Sequence, residues 1–317
     1  MIALSVFWFL LGVLLLALGG DSLLKAVAGL AQRWGLSAFR AGLLLVAVAT
    51  SLPELAVNLR ALQVGQPELA LGNAVGSSVV NLGLTLALAA LAAPLLLRAR
   101  LLGTLWVALV AAALLLILFG LDGRLQRWEG AVLLGGFVVA LAVLLRRGDT
   151  APPEVQAAIA EAAVSRTALL LNVLRLVIAA LALYWGARLV VGAAQQFAVE
   201  LGWTPLLVGL LPVAIGTALP EVAAAVVAAR RGQGDLVLGH VLGSSAVNLL
   251  LVLGALAVLQ PLALPASFVR LELPAVIAFA VVLVPMLRGD LRVSRVEGAV
   301  LLLAFAGWVG LELALAY

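Results

Sequence analysis

Two glutamates stand in the middle of apolar runs, and each follows a proline. The runs read Thr50-Ser51-Leu52-Pro53-Glu54 and Thr217-Ala218-Leu219-Pro220-Glu221. Further along each run come Gly76-Ser77-Ser78 with Asn81, and Gly243-Ser244-Ser245 with Asn248. Thr50 and Glu54 are four apart, so they share a helical face, as do Thr217 and Glu221. Proline lacks an N–H and blocks the bond to the carbonyl four residues back. The carbonyls of Ala49 and Gly216 are therefore expected to be freed. Carboxylate, hydroxyl, amide and carbonyl oxygens are hard ligands, suited to Na⁺ or Ca²⁺ rather than to soft transition metals. One Ca²⁺ balances two carboxylates, and so do two Na⁺ or two protons. One cage can therefore hold different cargoes in turn, which is the chemistry of ion exchange.

The elements that position these residues form a repeat. Thr50 pairs with Thr217, Glu54 with Glu221, Ser77 with Ser244 and Asn81 with Asn248, at a constant offset of 167. Between 36–94 and 203–261 there are 26 identities in 59 positions. Glu129-Gly130 and Glu297-Gly298 continue the match at an offset of 168. Hydrophobic residues make up 65% of the 317 and charged residues 11%, a balance that a bilayer accommodates and a soluble core does not. A spanning helix takes about 20 apolar residues. Spans are expected at 2–20, 39–63, 69–92, 101–119, 128–145, 168–192, 205–229, 236–259, 268–287 and 296–315.

The expected fold is therefore all-α: a polytopic membrane protein of ten helices. Residues 1–146 and 168–317 form two five-helix repeats joined by a cytoplasmic linker helix over 147–167. Five is odd, so the second repeat lies inverted in the membrane. With the N-terminus outside, inner loops hold 14 of the 19 basic residues and outer loops 5, which satisfies the positive-inside bias. Both termini are expected outside, in a cell inner membrane, with the chain acting as a monomer among lipids. The net charge of +4 reflects these loop arginines, and no basic, aromatic-interleaved patch suggests nucleic acid. There is no cysteine, so disulfides, thiolate catalysis and cysteine metal sites are excluded.

An ionisable residue inside a span is a functional-site hypothesis by default. Glu54 and Glu221 meet that description. Gly76, Gly243, Ser78 and Ser245 read as helix-packing residues that let backbones approach. Gly72-Asn73 and Gly239-His240 read as turns that open spans 3 and 8, with His240 a capping residue there. Asn58 has Ala225 as its counterpart and reads as a packing amide. Asp21 and Glu312 read as interfacial.

The four elements, Ala49-Thr50-Ser51-Leu52-Pro53-Glu54, Gly72 to Asn81, Gly216 to Glu221 and Gly239 to Asn248, resemble the two alpha-repeats of the sodium/calcium exchanger branch of the cation/calcium antiporters. The resemblance implies a site built by spans 2, 3, 7 and 8. It implies that Glu54 and Glu221 carry Ca²⁺, with the backbone carbonyls of Ala47 and Ala214 nearby. Thr50, Ser51, Thr217, Ser77 and Ser244 would supply Na⁺ ligands, and Asn81 and Asn248 would complete the centre. Helices 1 and 6 would slide against the core to alternate access. The chain departs from the pattern at Ala218, usually a serine, at Ser78 and Ser245, and at His240.

The expected function is antiport of Ca²⁺ against Na⁺ with no cofactor. The alternatives are a proton-coupled or Mg²⁺-selective exchanger on the same scaffold, or a passive cation channel. An enzyme is not expected: there is one histidine, no Ser/His/Asp arrangement and no phosphate-binding glycine loop.

Overall fold

Two short strand pairs establish how the halves of the molecule are related. A computed structural model describes residues 2–33, 51–96, 102–148, 169–288 and 291–315. Its helices are α1 (Ile2–Arg33), α2 (Leu52–Gln63), α3 (Pro67–Ala92), α4 (Leu102–Phe119) and α5 (Arg127–Gly148). The second half repeats them as α6 (Leu169–Leu201), α7 (Pro205–Arg230), α8 (Gly234–Leu259), α9 (Phe268–Glu272 continued by Leu273–Arg288) and α10 (Arg295–Leu315). Among the described residues, nine helices are long and apolar enough to cross a membrane. The remaining one, α2, is the described part of the span expected at 39–63. The linker at 147–167 lies almost wholly outside the described residues.

Strand β1 (Leu95–Leu96) follows α3 and pairs antiparallel with β4 (Arg292–Val293), which precedes α10. Strand β2 (Arg124–Leu125) precedes α5 and pairs with β3 (Leu262–Ala263), which follows α8. One full helix, α4, separates β1 from β2, so these strands lie at opposite ends of the bundle. β4 therefore shares an end with β1, and β3 shares an end with β2. Equivalent helices α3 and α8 thus finish at opposite ends, and the second half is inverted relative to the first. Hydropathy reading did not foresee these two-residue strands, because they carry no periodic signal of their own.

Local chemistry sets the helix ends. Gly65 (φ +72°) and Gly232 (φ +74°) take left-handed conformations in the equivalent α2–α3 and α7–α8 turns, where a side chain would be strained. Glu129 accepts from the Gln126 amide at 2.7 Å, and Glu297 accepts from the Ser294 amide at 2.7 Å. Ser294 Oγ accepts in return from the Glu297 amide at 3.3 Å, a reciprocal cap at the start of α10. The Glu-Gly match near the start of spans 5 and 10 is therefore a pair of helix caps.

α3 and α8 are buried over most of their length, and the other helices surround them. α1 and α6 pair closely at the periphery. A Cβ on Gly12 would sit 3.0 Å from the Gly186 carbonyl, and one on Gly186 would sit 2.9 Å from the Gly12 carbonyl. Such reciprocal small-residue contacts are how helices associate where lipid removes the hydrophobic drive. Both helices run past the expected ends at 20 and 192, carrying Asp21, Lys25, Gln195, Gln196 and Glu200 beyond the apolar window. Asp21 pairs with Lys25 at 2.6 Å on the exposed surface, as an interfacial residue should.

Candidate ion-binding site

The site is assembled where α2 and α7 cross the buried pair α3 and α8. α3 packs on α7 through glycines. A Cβ on Gly72 would collide with the Leu206 carbonyl, and one on Gly209 would collide with the Leu69 carbonyl. A Cβ on Gly76 would lie 2.5 Å from the Leu210 carbonyl. Gly72-Asn73 and Gly239-His240 are therefore not turns. Both lie inside continuous helices that begin at Pro67 and Gly234, and Gly72 is there for close approach. His240 is a helix-interior residue rather than a cap.

Three π turns widen the helices around the site. Asn81–Thr85 and Asn248–Val252 are equivalent turns in α3 and α8, and each begins at its asparagine. The Asn81 turn packs on α7 and the Asn248 turn packs on α2, so each faces the glutamate helix of the other half. The third, Gly209–Val213, holds Pro212 and ends just before Ala214. π turns leave carbonyls short of partners and concentrate at functional sites. α7 runs on through Pro220, which has no N–H to offer the Gly216 carbonyl, and the π irregularity sits upstream at Pro212. Pro53 occupies the first turn of α2, where proline is tolerated.

Glu54 and Glu221 are buried, 1% and 8% exposed, and lie within Coulombic reach of each other. One oxygen of each, Oε2, has no hydrogen-bond partner among the described residues. No ion pair joins either to a basic side chain among those residues. Stranding an unpaired buried charge costs about 3–5 kcal/mol, so a cation between the two carboxylates offsets a real penalty.

Ser51 Oγ lies 3.1 Å from Ser244 Oγ, and Asn81 donates to that same hydroxyl at 3.3 Å. Thr85 then donates to Asn81 Oδ1 at 3.4 Å. A second cluster centres on Asn73, whose Oδ1 accepts from Ser77 at 3.4 Å and from Thr217 at 3.5 Å. The amide of Asn73 donates to Asn58 at 2.7 Å, tying α3 to α2. The carbonyls of Val213 at 3.1 Å and Ala214 at 3.3 Å are alternative acceptors for the single Thr217 hydroxyl proton. Asn248 is fully buried, and neither its Oδ1 nor its Nδ2 has a partner among the described residues.

Of the residues expected at the site, Ser51, Ser244 and Asn81 are joined directly. Ser77 and Thr217 meet on Asn73, and the two glutamates face one region. Thr50 and Ala47 lie outside the described residues. Ser78 and Ser245 bond back to the carbonyls of Ala74 (3.1 Å) and Val241 (2.8 Å), and Ser78 also reaches the Ser245 carbonyl at 3.4 Å. They fasten α3 to α8. Sequence reading missed Asn73 and Thr85 as members of the network. The signal was present: Asn73, Ser77, Asn81 and Thr85 recur every four residues along an otherwise apolar helix.

An inverted pair of five-helix repeats, each contributing one buried carboxylate to a common region, defines a polytopic membrane transporter scaffold. The sodium/calcium exchanger protein family matches residues 4–146 and 171–313, nearly all of both halves. The chain belongs to that family. It is 34% identical over 308 residues to the putative antiporter CaxA of Alkalimonas amylolytica, covering 94% of this chain and 95% of that one. It is 26% identical to the sodium/calcium exchanger MaX1 of Methanosarcina acetivorans, covering 98% of each. Among solved structures it is similar to the sodium-calcium exchanger NCX_Mj in crystals soaked with Na⁺ and Sr²⁺. That match has a TM-score of 0.68 and 26% identity, covering 98% of this chain and 99% of the other.

Proposed function

We propose that this protein is a secondary active antiporter that moves Ca²⁺ in one direction and Na⁺ in the other by alternating access. The observation that carries the proposal is the buried pair Glu54 and Glu221, within Coulombic reach and without a basic partner among the described residues. Two carboxylates balance one Ca²⁺ or two Na⁺, so each cargo satisfies the cage that the other leaves. In this reading Thr50, Ser51, Thr217, Ser77 and Ser244 supply the Na⁺ positions, and the carbonyls of Ala47 and Ala214 lie beside the Ca²⁺ held by the two glutamates. Asn81 and Asn248 close the centre. Oxygens alone at such a site favour hard cations.

α1 is placed to gate access. Gly20 packs on Pro53, where a Cβ would be 3.2 Å from the ring, and the Phe9 ring fills the space over Gly216. One peripheral helix thus rests on both glutamate-bearing helices, and Phe9 stacks at 5.5 Å on Phe197 of α6. Movement of the α1–α6 pair would uncover one side of the cage and cover the other. The excess of basic residues in one set of loops supports both termini facing outward from a cell inner membrane. The complete site within one chain supports a monomer as the working unit.

The test is ⁴⁵Ca²⁺ uptake into proteoliposomes under outward gradients of Na⁺, K⁺ or H⁺. Uptake driven by Na⁺ alone is expected. Uptake driven only by H⁺ would contradict the sodium assignment, and uptake without any counter-ion gradient would indicate a channel.

A further inference from the structure

A second pair of buried carboxylates lies away from the central cage, at the junction of α9 and α10. Glu272 ends the π turn that opens α9 and is 1% exposed. Glu312 lies in the last turns of α10 and is 6% exposed, so the interfacial placement read from its position in the chain does not hold. The two are within Coulombic reach of each other. Glu272 Oε1 accepts from Ser267 Oγ at 2.9 Å, while Glu272 Oε2 and Glu312 Oε1 have no partner among the described residues. Neither glutamate has an ion pair with a basic side chain among those residues, and Arg270, two positions before Glu272, is exposed.

The repeat shows that packing does not require these carboxylates. The counterpart of Glu312 in the first half is Leu144, which is 4% exposed. The counterpart of Glu272 is Thr104 or Leu105, neither of them ionisable. The same helix junction is thus built once without acids and once with two. Two unpaired carboxylates in a span are costly unless something balances them.

We propose that Glu272 and Glu312, with the Ser267 hydroxyl, form a second cation site for a hard divalent ion such as Ca²⁺. Its oxygens are of the kind that ion takes, and its charge equals that of the central pair. Ser267 is exposed, so an ion reaches the site from the surface at the start of α9 without crossing the exchange pathway. The site belongs to the second half alone, and it makes that half responsive to an ion that the first half ignores.

The test counts bound ions on the purified full-length protein. Equilibrium dialysis with ⁴⁵Ca²⁺ is expected to give two ions per chain for the wild type and one for E272Q/E312Q. It is expected to give one for E54Q/E221Q and none for the quadruple variant. A full complement on E272Q/E312Q, or no ion on E54Q/E221Q, would overturn the proposal. Loss from E54Q/E221Q tests the central cage separately. A second readout avoids changing either acid. Trp308 is buried one turn before Glu312 and can sensitise Tb³⁺ luminescence at the site. In the E54Q/E221Q background, W308F, which keeps both acids, should lower that emission at least severalfold. Unchanged emission would contradict the location.

Discussion

The Glu54 side and the Glu221 side of the proposed cage share glutamate, threonine, serine and asparagine at equivalent positions, but Ala218 stands where the first side has Ser51, and the two sides differ in what holds them. On the first side a chain of bonds runs from Ser51 to Ser244, to Asn81 and on to Thr85. At the equivalent places the second side has Ala218, Ser77, Asn248 and Val252, so both ends of the chain are apolar. Asn248 is accordingly without partners among the described residues, and Ser77 turns instead to Asn73. The supporting pair differs as well. Asn58 and Asn73 bond at 2.7 Å, whereas Ala225 and His240 stand at their counterparts, a smaller residue opposite a larger one. Duplication therefore kept most of the proposed ligands, lost one hydroxyl at Ala218, and released their surroundings. Preorganised polar groups hold a ligand in place, and loosely held ones adapt to the ion that arrives. We infer that the first side is the more preorganised half of the proposed cage and the second the more adaptable.

This contrast can be broken at several points. The largest effect is expected from the residues that do not differ. Glu54→Gln and Glu221→Gln should each lower Na⁺-driven ⁴⁵Ca²⁺ flux by about 100-fold or more, since each strands the other carboxylate. Flux near wild type in either variant would remove that glutamate from the site. Gly76→Ala should come next. Its Cβ would sit 2.5 Å from the Leu210 carbonyl, so α3 and α7 must part. A loss of about 1–3 kcal/mol in stability is expected from such overpacking, read as a lower melting temperature in detergent. An unchanged melting temperature would show that the α3–α7 contact tolerates a side chain.

Ser51→Ala makes the first side resemble the second and removes about 1 kcal/mol of hydrogen bonding. The Na⁺ concentration for half-maximal exchange should rise about fivefold. Ala218→Ser makes the reverse change and should lower it. Equal responses to both substitutions would mean that the two sides are not specialised. Thr85→Val is expected to be mildest, with a shift of about twofold, because Asn81 keeps its bond to Ser244.

Much of this plan was legible in the chain. The offset of 167 and the odd number of spans imply inversion, and the pairing of Leu95 with Val293 and Leu125 with Leu262 shows it independently. The two glutamates stood out because a carboxylate is costly in an apolar run. Other features were misread because the sequence signal was ambiguous. Glycine beside asparagine suggests a turn, but at Gly72 it marks a helix crossing where a neighbouring backbone leaves no room for a Cβ. Pro220 drew attention to the Gly216 carbonyl, whereas the π turn lies upstream at Pro212 and α7 continues through Pro220. Glu312 looked interfacial from its place near the end of the chain. α10, which carries it, packs chiefly on the end of α3, and sequence position alone carries no information on that packing.

The most direct test of the central claim is anomalous diffraction from crystals of this protein soaked in Sr²⁺, a stand-in for Ca²⁺. A strong peak is predicted between Glu54 and Glu221, distinct from any at Glu272 and Glu312, about 2.6 Å from oxygens of both central carboxylates, and it should vanish in crystals of E54Q or E221Q. A peak bound by one glutamate alone, or no peak between them, would contradict a shared cage.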